Sequence, residues 1–237
     1  MYEIKKGKFR YLIFEKLAMF SNIVHGVFLK EHDFSISREI LQEISEEWSL
    51  ECMALGRQVH KANIAHVQKN QKPVRIYAET DGLMTGVSNV GLVVNHADCQ
   101  PALIYDPKKQ VISAVHCGWR GSVRNIYARA IFAMQKEYGS DPKDLIVCIG
   151  PSLGPLAAEF INFPTELPAE FHEFQIKPYY FDFWAISESQ LLKLGVLRKN
   201  IEIAGICTYS NPTHFFSYRR NKEKGRHGSF IALRQTS

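Results

Sequence analysis

The chain has 237 residues, of which 46% are apolar and 22% charged. That composition fills a sizeable core and excludes an intrinsically disordered chain. Lysine and arginine number 29 against 24 aspartates and glutamates, a net charge of +5, which suits an anionic small molecule but does not by itself indicate nucleic acid.

Residues 1–14 interleave charged with apolar side chains, unlike a signal peptide, and no run approaches the ~20 apolar residues of a membrane helix. A cytosolic protein with no membrane partner is expected. Residues 5–20 read as one or two strands ending at the Ser21-Asn22 turn, and 25–28 as another short strand. Residues 38–48 place Ile40, Leu41, Ile44 and Trp48 at helical spacing. Strand-like runs follow at 58–64 and 74–77. The densest β signal is 90–94, 101–105 and 111–115, the last two joined by Asp106-Pro107-Lys108-Lys109 as a hairpin turn. A helix is predicted over 122–138, a buried strand over 144–149 stopped by Gly150-Pro151, a helix over 187–194, and strands over 201–206 and 229–234. Strands outnumber helices and are mostly hairpin-linked, so an α+β layered fold with mostly antiparallel or mixed sheets is expected, as a single domain over residues 1–237. No GxGxxG follows a strand and no P-loop occurs, which argues against a dinucleotide or ATP cradle.

The five cysteines, Cys52, Cys99, Cys117, Cys148 and Cys207, are odd in number, scattered and free of any CxxC pair. Reduced thiols are expected, and a zinc ribbon is not. Chemistry concentrates in Arg57-Gln-Val-His60, His96-Ala-Asp-Cys-Gln-Pro101 and Val115-His-Cys-Gly-Trp-Arg-Gly121. One thiolate and two imidazoles from His60, Cys99 and His116 suit Zn²⁺, with copper as the alternative, and three zinc ligands leave a fourth position open. Read singly, Cys99 reads first as a small buried hydrophobe, and His60 and His116 as satisfied core histidines. His66 and His96 compete as ligands. Cys117 ranks below Cys99 because strand alternation turns it away from whatever His116 faces. Arg120, between glycines at a helix start, either suits phosphate or is a solvent-facing arginine at a turn. Asp98 and Asp81 are each an outer partner of the site, a proton carrier or a turn carboxylate. Aromatics mixed with basic residues from Phe215 to His227, including Arg219 and Arg220, either stack a base and neutralise phosphate or form a core strand running into a solvated loop.

Taken together, Gln58-Val-His60, Thr80-Asp-Gly-Leu-Met-Thr85, Ala97-Asp-Cys-Gln-Pro101, His116-Cys-Gly-Trp-Arg-Gly121, Ile149-Gly-Pro-Ser152, Cys207-Thr208 and Phe216-Ser-Tyr-Arg-Arg220 with Gly225-Arg226 resemble, in kind and order, the YfiH family. That family is also called laccase-domain or polyphenol-oxidase-like, and purine nucleoside phosphorylase-like. The departures are Cys117 in place of a small residue, the stretch after His25-Gly26, and residues 153–185. The resemblance implies an αββα layered fold and a metal and catalytic centre at His60, Cys99 and His116. It implies phosphorolysis of adenosine, inosine or methylthioadenosine, with adenosine deamination in the same site. Asp98 is then a candidate proton donor, Arg120 the candidate phosphate ligand, and Arg219 and Arg220 further substrate contacts. The expected partners are a purine nucleoside and phosphate, acted on by a monomer, with no nucleic acid.

Three other readings are open. A metal-free cysteine hydrolase or amidase would use Cys99 as nucleophile and a histidine as base, and the family's link to cell-wall peptide precursors fits it. A copper polyphenol oxidase would need a histidine-rich cluster, whereas the nine histidines are dispersed. A nucleic-acid-binding module would use the basic stretch at 219–227.

Overall fold

Alternation along the strongest apolar runs sets two sheets face to face. The computed structural model describes residues 1–35, 38–69, 72–222 and 224–235. Its first half comprises β1 (Tyr2–Lys6), β2 (Phe9–Ile13), α1 (Glu15–Ala18), β3 (Ile23–Phe28), α2 (Arg38–Glu47), β4 (Cys52–Gly56), β5 (Ile64–His66), β6 (Val74–Tyr77), β7 (Gly82–Thr85), β8 (Val90–His96), β9 (Gln100–Asp106) and β10 (Val111–Cys117). There follow α3 (Trp119–Val123), α4 (Ile126–Tyr138), β11 (Ile146–Ile149), α5 (Phe163–Glu166), a ribbon of β12 (Gln175–Lys177) and β13 (Tyr180–Phe181), α6 (Phe183–Lys193), β14 (Ile201–Ile203), α7 (Tyr218–Asn221) and β15 (His227–Leu233). The first sheet has the order β1-β2-β3-β15-β8-β4-β6 and the second β14-β11-β9-β10-β7-β5.

Successive residues of one strand point to opposite faces. Leu92 and Ile231 of the first sheet therefore meet Leu83, Leu103 and Ile112 of the second in a core between the sheets. Their neighbours Val93 and Phe230 face outward against Ile40, Leu41 and Ile44 of α2. On the far side Ile104 and Val115 pack on Ile126, Ile131 and Met134 of α4 and Leu191 of α6. The result is the helix–sheet–sheet–helix order expected above. No helix among the described residues is long and apolar enough to cross a membrane.

The predicted hairpin is present: β9 and β10 pair antiparallel, and Asp106 accepts from the amides of Lys108 and Lys109 to close its turn. Other expectations need correction. The run at 58–64 is a loop up to its last residue; His60 sits at φ 56°, which no strand accommodates. The helix expected over 122–138 breaks at Asn125, whose φ of 48° is left-handed and whose side chain accepts from the Ala128 amide to start α4 afresh. The later helix begins earlier than expected, at Phe183, because Asp182 caps it by accepting from the Ala185 amide. β4 and β7 are additional strands.

One feature of the topology positions the site. β4 runs parallel to both β6 and β8 in the first sheet, so the three end at the same edge. Each then crosses to the second sheet, into β5, β7 and β9 respectively. β10, antiparallel to β7 and β9, ends at that edge too.

Candidate active site

The three crossovers and the end of β10 carry the chemistry. His60 lies between β4 and β5, Asp81 between β6 and β7, Cys99 between β8 and β9, and His116 near the end of β10. The ligand atoms of His60, Cys99 and His116 all lie within 4.8 Å of one another. The two imidazoles meet edge to face, with centroids 4.9 Å apart and planes at 84°. His116 is buried, Cys99 half-buried and His60 exposed, so the cluster opens outward on the His60 side.

Asp81, 1% exposed, holds two of the three candidate ligands in place. One carboxylate oxygen accepts from the amides of Val59 and His60 at 3.0 and 2.8 Å, and the other from Lys61 at 2.8 Å. This explains why 58–63 is a loop: its amides turn inward to one carboxylate rather than to a neighbouring strand. The same carboxylate stands 3.4 Å from His116 Nδ1, an electrostatic contact too long for a strong hydrogen bond. It leaves Nε2 for the cluster. Gln58 fastens the loop from the other side, its amide bonding both the N–H and the C=O of Asn95.

Burial alone would push the Cys99 thiol up, but facing His116 and His60 outweigh it and bring its pKa down to about 6. Burial alone would lower His116; the Cys99 sulfur and the Asp81 carboxylate outweigh it and raise its pKa to about 9. Burial also acts to raise Asp81, and His116 with the surrounding amides holds it below its ordinary value.

The donor set fits zinc or copper: one thiolate and two imidazoles on a shared centre. Gly118 supplies an independent observation. A Cβ there would stand 3.0 Å from Cys99 Sγ, 3.2 Å from His60 Cδ2 and 3.8 Å from His116 Cε1, so its lack of a side chain keeps the space beside the three ligands open.

The cluster borders a cavity of about 1000 Å³, the upper end of the range for small-molecule sites. Trp119, Phe160, Phe183 and Tyr218 give it aromatic walls; Arg57, Arg120, Arg219 and Arg226 make it positive. Among the described residues Asp98 is the one carboxylate-bearing residue that lines it.

The remaining sequence candidates separate clearly. Cys117 points away from the cluster, its sulfur 3.2 Å from the Ser122 hydroxyl, and burial pushes its thiol up to about 12. His66 bonds Tyr138 and His96 bonds Ser229; neither joins the three ligands. Arg120 lines the cavity with its guanidinium 4.2 Å from the Trp119 ring centre. Asp98 accepts from the Thr208 hydroxyl at 2.7 Å and the Arg219 amide at 2.6 Å. Arg219 lines the cavity while its guanidinium bonds the Ala157 and Glu159 carbonyls. Arg220 turns its guanidinium to the carbonyls of Thr208, Tyr209 and Phe215 and is absent from the lining. In the basic stretch at 219–227, Glu223 lies outside the described residues.

Sequence reasoning missed the wall built by residues 153–185. Leu153, Ala158, Phe160 and Phe183 line the cavity, and Phe160 and Phe183 belong to a small core of their own with Phe171 and Phe181, against which Trp119 packs. The available signal was the density of phenylalanine between 160 and 183.

Residues 30–234 match the family model described as multi-copper polyphenol oxidoreductase laccase. A relative named purine nucleoside phosphorylase from Bacteroides thetaiotaomicron is 28% identical over 93% of this chain and 94% of its own. Another of that name from Clostridium acetobutylicum is 36% identical over 65% of this chain and 66% of its own. YlmD from Geobacillus stearothermophilus shares the fold with a TM-score of 0.83 at 22% identity, covering 98% of both chains. YfiH from Bacillus licheniformis does so at 0.82 and 22%, covering 95% of this chain and 96% of its own. A family model spanning most of the sequence, joined to the ordered motifs around His60, Cys99 and His116, establishes that this chain belongs to the laccase-like YfiH family.

Proposed function

We propose that the protein is a purine nucleoside phosphorylase that also deaminates adenosine, with His60, Cys99 and His116 holding zinc. The observation that carries this reading is the convergence of those three ligand atoms within 4.8 Å beside a cavity with aromatic walls and a positive rim; the names of the relatives supply the substrate class. Zinc held there would supply Lewis acidity and lower the pKa of water to about 7, the chemistry that deamination at purine C6 calls for.

The chain's own residues do the rest. Phosphorolysis joins a phosphate oxygen to ribose C1′ and breaks the bond to N9 of the base, which leaves with the electron pair and takes up a proton. Arg120 balances the charge of the attacking phosphate. The aromatic walls stack the purine and exclude water. Arg219, fixed by the Ala157 and Glu159 carbonyls, adds a second positive charge at the rim. Asp98, the proton donor expected from sequence, accepts hydrogen bonds on both of its oxygens and so also anchors the Thr208 and Arg219 segments against the cavity.

The purified protein is to be incubated with adenosine, inosine and methylthioadenosine, with and without phosphate, and the products separated. Free base and the sugar 1-phosphate (ribose-1-phosphate, or its 5-methylthio form from methylthioadenosine) are expected only with phosphate, and inosine from adenosine without it. A chelator abolishes both activities and zinc restores them; Cys99→Ala abolishes both irreversibly.

A second reading, the thiol hydrolase, is favoured by the charge pair between Cys99 and His116. It requires activity that is indifferent to chelator and blocked by alkylation. The multicopper oxidase is less well supported, since His66, His96 and His227 are engaged elsewhere, with Tyr138, Ser229, and Phe28 and Phe216 respectively.

A further inference from the structure

The cavity extends beyond the three ligands to an end that the reactions above do not use. Leu55 on β4, its register partner Ile76 on β6, and Asn95 on β8 line that end. Alternation puts Leu55 on the face of Met53, and Asn95 on the face of Val93, both of which pack on α2. Cys99 and His116 belong instead to the approach to the second sheet. One continuous cavity therefore passes over the end of the first sheet, from the crossover loops to its outer face.

Two arginines stand at this end. The main chain of Arg57 is fixed on both sides, its amide bonding the Tyr77 carbonyl and its carbonyl accepting from the Thr80 amide. Its guanidinium has no ion pair or hydrogen bond to any described residue. Arg226 enters just before β15, its amide bonding Asp33 and its guanidinium bonding the Lys224 and Gly225 carbonyls. Among the described residues no carboxylate lines this end, and Leu55 and Ile76 give it an apolar floor. Arg57 precedes His60 by three residues, so their Cα atoms are at most about 10 Å apart. A nucleoside with a substituent on its 5′ carbon spans such a distance.

We infer that this end is a subsite for an anionic group on the 5′ carbon of a purine nucleoside, so that nucleoside 5′-monophosphates bind the cavity with Arg57 on their phosphate. The inference rests on the nucleoside reading above. The group is distinct from the inorganic phosphate assigned to Arg120.

Calorimetric binding of inosine, inosine 5′-monophosphate and inorganic phosphate to the zinc-loaded protein tests it. Without added phosphate, inosine is neither phosphorolysed nor deaminated. The monophosphate is expected to bind at least tenfold more tightly than inosine at low ionic strength, with the ratio shrinking in 0.5 M salt, by about the screening expected for exposed charges. Arg57→Ala lowers that ratio at least fivefold and Arg57→Lys retains more of it, whereas Arg120→Ala weakens inorganic phosphate without changing the ratio. Equal affinities for the two ligands, or a ratio lost in Arg120→Ala but kept in Arg57→Ala, overturn the subsite while leaving the nucleoside reading intact. Absence of binding by both inosine and its monophosphate overturns the nucleoside reading, and the subsite with it.

Discussion

At the scale of single residues, Asp81 is the group on which the site's geometry turns. Its carboxylate gathers three consecutive amides of the His60 loop and faces His116, so one side chain sets the position of two candidate ligands, one on a crossover and one near the end of β10. Asp81→Asn removes one acceptor oxygen and turns an NH₂ toward amides that have nothing to offer it. Zinc affinity is expected to fall 10- to 100-fold, the usual effect of losing an outer partner of a ligand, as measured by competition with a chromophoric chelator. Unchanged affinity would show that the loop holds itself. The motif around Asp81 was legible in the sequence, but its partners were not: they are amides, present at every position and assigned only by the path of the chain.

At the scale of elements, α2 was readable because Ile40, Leu41 and Ile44 recur at the helical period and pack as one stripe. The break between α3 and α4 was not readable. Apolar positions continue through it in helical phase, and only the left-handed backbone of Asn125 interrupts them. That break lets α3 turn toward the cavity, where Arg124 bonds the His60 carbonyl and Arg120 reaches the lining. Asn125→Ala loses the cap on the Ala128 amide and puts into the left-handed region a residue without the short polar side chain that lets asparagine adopt it. A loss of about 2 kcal/mol is expected in urea denaturation, roughly half from each effect, with Asn125→Gly recovering the backbone part. A loss below about 0.5 kcal/mol would mean that tertiary packing alone fixes the break. β4 and β7 escaped notice for a related reason: strands this short, buried on both faces, carry little alternation.

At the scale of the whole molecule, two buried histidines join distant segments and, with the equally buried His96, make the fold sensitive to acid. His25 accepts from the Phe14 amide, and His227 accepts from the Phe216 amide while donating to the Phe28 carbonyl. Burial lowers the pKa of each to about 4. The unfolded chain, titrating near 6.5, then binds more protons than the native state between about pH 6.5 and 4. The stability these histidines contribute is fully present above pH 6.5 and is lost as pH falls toward 4, by at most about 3 kcal/mol each. The urea midpoint should be flat from pH 8 to 7 and drop steeply below 6.5, with His25→Gln flattening the drop. A midpoint constant down to pH 4.5 contradicts this. Because His227 ties Phe216 to the first sheet, the same acid range loosens the segment that carries Arg219.

Local chemistry in the sequence determined the type of donor set, the reduced state expected of the thiols, the amphipathic helix at α2 and the hairpin of β9 and β10. Each depends on residues close together along the chain, where periodicity and turn preferences act. Only the tertiary structure decided that His60, Cys99 and His116 would meet while His66, His96 and Cys117 would not, and that the phenylalanines of 160–183 would wall the cavity. That selection follows from three parallel strands ending at one edge and crossing to a second sheet. Strand order arises from packing between segments far apart in sequence, and no local pattern encodes it.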